Sequence, residues 1–243
     1  MLMNLAIAGR IAFATCLFLV LSPVQAATQV HGGKVEWARL KTPDKDWAIH
    51  SDRDPDLADF VRHNTDLNIR PALGSADPGN LEQLCSFPFI YAKDMMHVRR
   101  AEHLANLGEY LRRGGFICVD ACSTTNVTPD LQAHLRNNVA VFQRLLPESR
   151  VARLPDDHPI YSCYFTVSER EIFTRDMGSM PASRDRGLYG IYAEDRMVAI
   201  VTLNGLQCGW PQTPLRKPGC VQMILNIYIY AMTAGPETDV PSE

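Results

Sequence analysis

The chain has 243 residues, 46% of them hydrophobic, with 24 basic and 27 acidic side chains and a net charge of −3. That length suits one α/β domain of ordinary to large size. No Lys/Arg stripe interrupts the near-neutral balance, which excludes a basic-patch nucleic-acid binder.

The first segment reads as an address rather than as structure. Arg10 supplies one positive charge, and Ile11 to Leu21 is an apolar run shorter than the about 20 residues of a spanning helix. Val24-Gln25-Ala26 then places small residues at −3 and −1 of a cleavage site. Residues 1–26 are thus expected to be a cleaved signal peptide, with the mature protein periplasmic or secreted. Loss of Cys16 leaves Cys85, Cys118, Cys122, Cys163, Cys208 and Cys220. An even count in an exported chain permits disulfides.

Residues 27–234 are expected to form a single domain. Lys34 to Leu40 alternates as a first strand. Asp54-Pro55-Asp56 starts a helix, with Asp54 as N-cap and Leu57, Phe60 and Val61 on its apolar face. Asn68 to Leu73 reads as a second strand, followed by a loop rich in Gly, Pro and Asp. Phe87 to Ala92 is an apolar run of strand length.

Ala101, Leu104, Leu107 and Leu111 recur at helical spacing, Gly114-Gly115 stop that helix, and Phe116 to Val119 follows as a buried strand. Thr128-Pro129-Asp130 opens another helix, with Leu131, Leu135, Val139, Phe142 and Leu146 on one face. Strands and helices alternating with short connections imply a mainly parallel sheet. Leu188 to Ala193 and Met197 to Leu203 flank a turn at Glu194-Asp195-Arg196, so an antiparallel hairpin is expected near the C-terminus. Val221, Ile224, Leu225, Tyr228, Ile229 and Met232 form a helical stripe interrupted by Gln222 and Asn226. Such a helix packs on the sheet and is too short and polar to span a membrane. Residues 235–243 read as a disordered tail.

Ligands in open parallel sheets bind beyond the carboxyl ends of strands. Asp120 and Cys122 sit at one such end; Lys93 and Asp94, with His97 three residues on, sit at another. Asp120 suits three roles: metal ligand, general base, or organiser of the next loop. In Pro155-Asp156-Asp157-His158-Pro159, Asp157 and His158 read either as an orienting carboxylate with a base, or as a turn cap beside a half-buried imidazole. Cys118 and Cys122 straddle the strand end and suit no shared zinc. Cys208 and Cys220 bracket a loop and suggest a disulfide worth about 3 kcal/mol. Asn126-Val127-Thr128 matches a glycosylation sequon without informative context. No GxSxG, HExxH, phosphate loop or GxGxxG occurs.

The blocks VEWARLK, DPDLADFVRHNT, FPFIYAKD, LGEYLRRGGFICVDAC, LPDDHPIYSCYF, GIYAEDRMVAIVTLNGLQCGW and LNIYIYAMT run from about Val35 to Thr233. In that order they resemble the bacterial family called domain of unknown function 4159, with GGF…D and DHPI the specific parts. The resemblance implies a fold similar to class I glutamine amidotransferases, a flavodoxin-like three-layer α/β sandwich. It implies no activity. The amidotransferase nucleophile sits in a G-x-C-x-G elbow, and here Cys122 is flanked by Asp120 and Thr124, Cys208 by Leu206 and Trp210. Amidotransferase chemistry is therefore not expected.

Two functions follow. The first is a non-catalytic periplasmic module that binds a small molecule or a protein of the cell envelope through a rim around Asp120, Asp94, His97 and His158. The second is an envelope or extracellular hydrolase using Asp120 and His158 as base or metal ligands, with Asp157 and Cys122 nearby. No motif calls for a cofactor, and the acid and imidazole groups leave room for a divalent metal.

Overall fold

The computed structural model describes residues 34–122, 130–172, 186–210 and 217–234. Residues 1–26, read above as a signal peptide, the sequon and residues 235–243 lie outside these residues. The chain divides at His31/Gly32, and every element described here belongs to the second unit.

Seven strands form one sheet in the order β2-β1-β3-β4-β7-β6-β5. They are β1 (Ala38–Leu40), β2 (Gly74–Ala76), β3 (Phe89–Ala92), β4 (Phe116–Asp120), β5 (Arg150–Arg153), β6 (Leu188–Ala193) and β7 (Arg196–Thr202). Pairings β2-β1, β1-β3, β3-β4 and β4-β7 are parallel. Both pairings of β6 are antiparallel. The β6–β7 hairpin is thus the one anticipated from its turn, where Glu194 adopts φ 54°.

Helices cover both faces, giving three layers. Against one face pack α1 (Asp54–Asn64) and α5 (Pro218–Thr233), whose Leu57, Val61, Ile224 and Ile227 are buried with Trp37, Phe89 and Phe116 of the strands. On the other, α2 (Leu81–Cys85), α3 (Ala101–Arg112) and α4 (Leu131–Leu145) bury Leu84, Leu107, Leu111 and Phe142 against Ile90, Ile117 and Val201. Residues alternate between the layers because successive strand side chains point to opposite faces. Phe116, Cys118 and Asp120 accordingly share the α1/α5 side. Among the described residues, no helix is long and apolar enough to cross a membrane.

Several boundaries differ from expectation. The Asn68–Leu73 stretch contributes only a bridge from Ile69 to Val35, and pairing resumes at Gly74–Ala76. Pro71 has no N–H to donate to a ladder. Gly74 also passes so close to Glu36 and Phe87 that a Cβ there would meet the Glu36 carboxylate at 2.7 Å. Helix α1 begins at Asp54 itself, with Arg53 as N-cap, because the Asp54 carboxylate is held by Arg39. Helix α2 and strand β5 were not anticipated: α2 has five residues, and the arginines at both ends of β5 mask its buried Ala152.

Helix α4 departs most usefully. Its buried side carries His134 and Asn138, while Leu131, Leu135 and Val139 are only partly buried. The Asn138 Oδ1 accepts the Met95 N–H at 2.7 Å and its Nδ2 donates to the His134 carbonyl at 2.8 Å, tying α4 to the loop after β3. In α5, buried Asn226 donates to the carbonyls of Ile160 (2.9 Å) and Phe165 (2.7 Å) and accepts the Phe165 N–H (2.9 Å). The polar break in that apolar stripe anchors a loop; Met232, at the end of the stripe, is exposed.

Candidate site at the carboxyl rim of the sheet

Chain direction across the sheet reverses between β1 and β3, since β1 connects outward to β2 and β3 begins the march through β4 to β7. Such a switch point opens a crevice at the strands' carboxyl ends, the usual ligand position in doubly wound folds. Two polar clusters lie along this rim, one on each side of the sheet.

The cluster on the α1/α5 side centres on Asp120, the last residue of β4 and 1% exposed. Its Oδ1 accepts the Leu206 N–H and its Oδ2 the Gln207 N–H, both at 2.9 Å. The Tyr91 hydroxyl also donates to Oδ2, at 2.9 Å. The carboxylate therefore caps the 3-10 turn Leu206–Gly209 from a distant point in the chain, satisfying amides the turn cannot satisfy itself. Gln207 extends the network by donating to the carbonyls of Ile49 (3.0 Å) and His50 (3.2 Å). The Arg39 guanidinium lies 5.0 Å over the Tyr91 ring and forms a buried pair with Asp54. Burial pushes the Asp120 carboxyl up to about 7, against the pull of its three donors. Burial also raises Tyr91 well above the usual phenol range.

Cys122 is buried next to this cluster, and its interaction with Asp120 adds a smaller upward push to that of burial. Cys208 and Cys220 lie close by, on the 3-10 turn and the first turn of α5, but no disulfide joins them. The anticipated bond gives way to two buried thiols. Burial is the leading cause that lifts Cys220 to about 12. The Cys220 Sγ lies 3.6 Å from the Ile172 carbonyl, while the turn at Gly209 presses its backbone against the Cys220 side chain.

Asp157 and His158 do not join Asp120. His158 caps the 3-10 turn Pro159–Tyr161 by accepting the Ile160 N–H on Nδ1 at 3.2 Å, and its ring lies 5.2 Å from that of Tyr230. Tyr230 is ten residues beyond Cys220 along α5, about 15 Å of helix axis. Asp157 is exposed in the turn before it.

The second cluster fills the β1/β3 crevice. After β1 the chain presents Thr42 and Asp44; after β3 it presents Lys93, Asp94 and His97. The Lys93 ammonium bonds Asp44 and lies 3.5 Å from the Asp94 Oδ2. Ligand atoms of Asp44, Asp94 and His97 fall within 4.8 Å of one another. Asp94 is 3% exposed, and its Oδ1 has no hydrogen-bond partner among the described residues. Burial raises the Asp94 carboxyl, outweighing the charges of Lys93 and His97. Burial also pulls Asp44 upward, but the Lys93 hydrogen bond and the Asp46 N–H hold it below its ordinary value. His134 lies at the back, lowered to about 4 by burial and then by the Lys93 charge.

Of this set, Asp94 and His97 were visible from strand ends. Asp44 was not, because it comes from a loop between a short strand and a helix. The signal for His134 and Asn138 was present as two polar residues four apart in an amphipathic helix, but the periodicity of the leucines outweighed it. Beside the cluster a cleft runs between the β3–α3 loop and α4, lined by His97, Arg99, Asn137 and Arg144.

No curated protein matches the chain. The family described as Domain of unknown function (DUF4159) matches residues 36–232, from the first strand to the end of α5. The chain belongs to the DUF4159 family.

Proposed function

We propose that this protein is an exported, non-catalytic ligand-binding module whose ligand enters the β1/β3 crevice and carries an anionic group. The observation that carries this reading is the state of Asp120. Its carboxylate is buried and takes up three donors from its own fold, so it serves as a loop organiser and not as a base. The alternative hydrolase needs Asp120 and His158 in one place, whereas the hydrogen bonds of Asp120 go to Tyr91, Leu206 and Gln207 and the His158 ring packs near Tyr230. Among the described residues, a cleft opens at the rim beside the β1/β3 crevice, where His97, Arg99, Asn137 and Arg144 offer donors and positive charge. Guanidinium groups suit carboxylate and phosphate by geometry as well as charge. Export follows from the reading of residues 1–26 as a signal peptide.

Thermal-shift and calorimetric titration with small carboxylates and phosphate esters tests the reading. The expected result is saturable binding of one anion class, weakened at least tenfold in an Arg99→Ser/Arg144→Ser variant. Hydrolytic turnover of an ester, amide or glycoside, lost in Asp120→Asn, overturns it. Absence of any anion binding by the folded protein does so equally.

A further inference from the structure

We infer that Asp44, Asp94 and His97 form a binding site for a divalent first-row transition ion, with Lys93 as the internal cation it displaces. The inference deepens the binding-module reading and rests on its choice of crevice.

Three observations converge. Two carboxylates and one imidazole, from two loops at the switch point, bring their ligand atoms within 4.8 Å of each other. One of the carboxylates, Asp94, is buried with an oxygen that has no partner among the described residues. A buried carboxylate oxygen left without a proton or donor is costly, and a cation removes that cost. The ammonium of Lys93 reaches Asp44 and Asp94 together, so the fold already places one positive charge where an ion would sit.

Chemistry selects the class of ion. Magnesium and calcium favour all-oxygen sets, whereas an imidazole with two carboxylates suits zinc and its neighbours. Three protein ligands leave a fourth position open for water or for the anionic group of a ligand held by Arg99 and Arg144. Asp44 and His97 are partly or fully exposed, so their side chains can rotate to close on the ion, while buried Asp94 stays fixed. The thiols are not part of the set: none of the six described cysteines belongs to this cluster.

The test uses the mature protein stripped with a chelator, then titrated with Zn2+ against a chromophoric competitor at pH 7.5. One equivalent is expected to bind, with affinity at least tenfold weaker in His97→Ala and in Asp44→Asn. Because His97 is exposed, its replacement leaves folding intact and the comparison clean. In Lys93→Met the affinity is expected to rise about tenfold, since the ammonium no longer competes; a merely structural cluster predicts no such gain. Failure of the folded wild-type protein to take up zinc overturns the inference, as does uptake undiminished in both ligand variants. If zinc fails while the anion-induced thermal shift persists, the cation site falls and the binding module stands.

Discussion

Asp120 and Gln207 are joined by a 2.9 Å hydrogen bond from backbone N–H to carboxylate, linking the end of β4 to the turn after β7 across 87 positions of sequence. This contact assigns the most conspicuous acid in the chain. Removing the carboxylate leaves the Leu206 and Gln207 amides buried without an acceptor. Asp120→Ala should therefore cost about 3 kcal/mol, read by denaturant unfolding. Equal stability of variant and wild type would show that the turn does not depend on this cap.

Two buried groups make opposite contributions to stability with pH. Asp120 is raised from 3.8 to about 7, so the folded state binds its proton more tightly than the unfolded chain. Its contribution is full below pH 3.8 and is lost as pH rises toward 7. His134 is lowered from 6.5 to about 4, so its contribution is full above pH 6.5 and is lost as pH falls toward 4. Between these limits the slopes oppose each other. In His134→Gln, stability should fall more steeply than in the wild type as pH rises from 4.5 to 6.5. A variant curve parallel to the wild type would contradict the assignment.

The amide of Asn226 holds the segment 160–165 with three hydrogen bonds from within α5. Asn226→Leu preserves the bulk but removes the partner of the Phe165 N–H and carbonyl and leaves the Ile160 carbonyl only the long contact from the Cys163 thiol. We expect a loss of about 2–4 kcal/mol, together with faster amide exchange confined to the Pro159–Phe165 region. Uniform exchange with unchanged stability would mean that the loop is held by other contacts.

Cys208 and Cys220 should both react with maleimide after denaturation without reductant, since no disulfide joins them. Native protein should label slowly at both, because they are 2% and 0% exposed. A bond between them, seen as a cross-linked peptide by mass spectrometry, would contradict the structure at this turn.

Helices α3 and α4 come close together at Gly108, where a Cβ would meet the Leu145 carbonyl at 2.8 Å. Backbone cannot yield as a side chain does. Gly108→Ala should thus be destabilising, by about 1–3 kcal/mol, despite the better helix propensity of alanine. A rise in melting temperature would show that α4 shifts freely on the sheet.

How much was legible differs from element to element. Strand β4 and helix α3 announce themselves through an apolar run, a leucine repeat and the Gly114-Gly115 stop, because each signal is local. The β6–β7 hairpin is equally plain from its turn. Strand β2 is not, since a three-residue edge of Gly, Ser and Ala takes its place from its neighbours, not from its own pattern. Asp94 and His97 could be singled out because strand ends are visible in sequence.

The sequence by itself determined the parallel α/β order, a consequence of short-range periodicity and chain punctuation, while the family and its three-layer arrangement followed from the resemblance of whole sequence blocks. Tertiary structure alone decided which acids meet. It took Asp120 into a backbone cap, sent His158 to Tyr230, and brought Asp44 beside Asp94 and His97. Strand order and the direction of each crossover set those distances, and neither is written in local spacing.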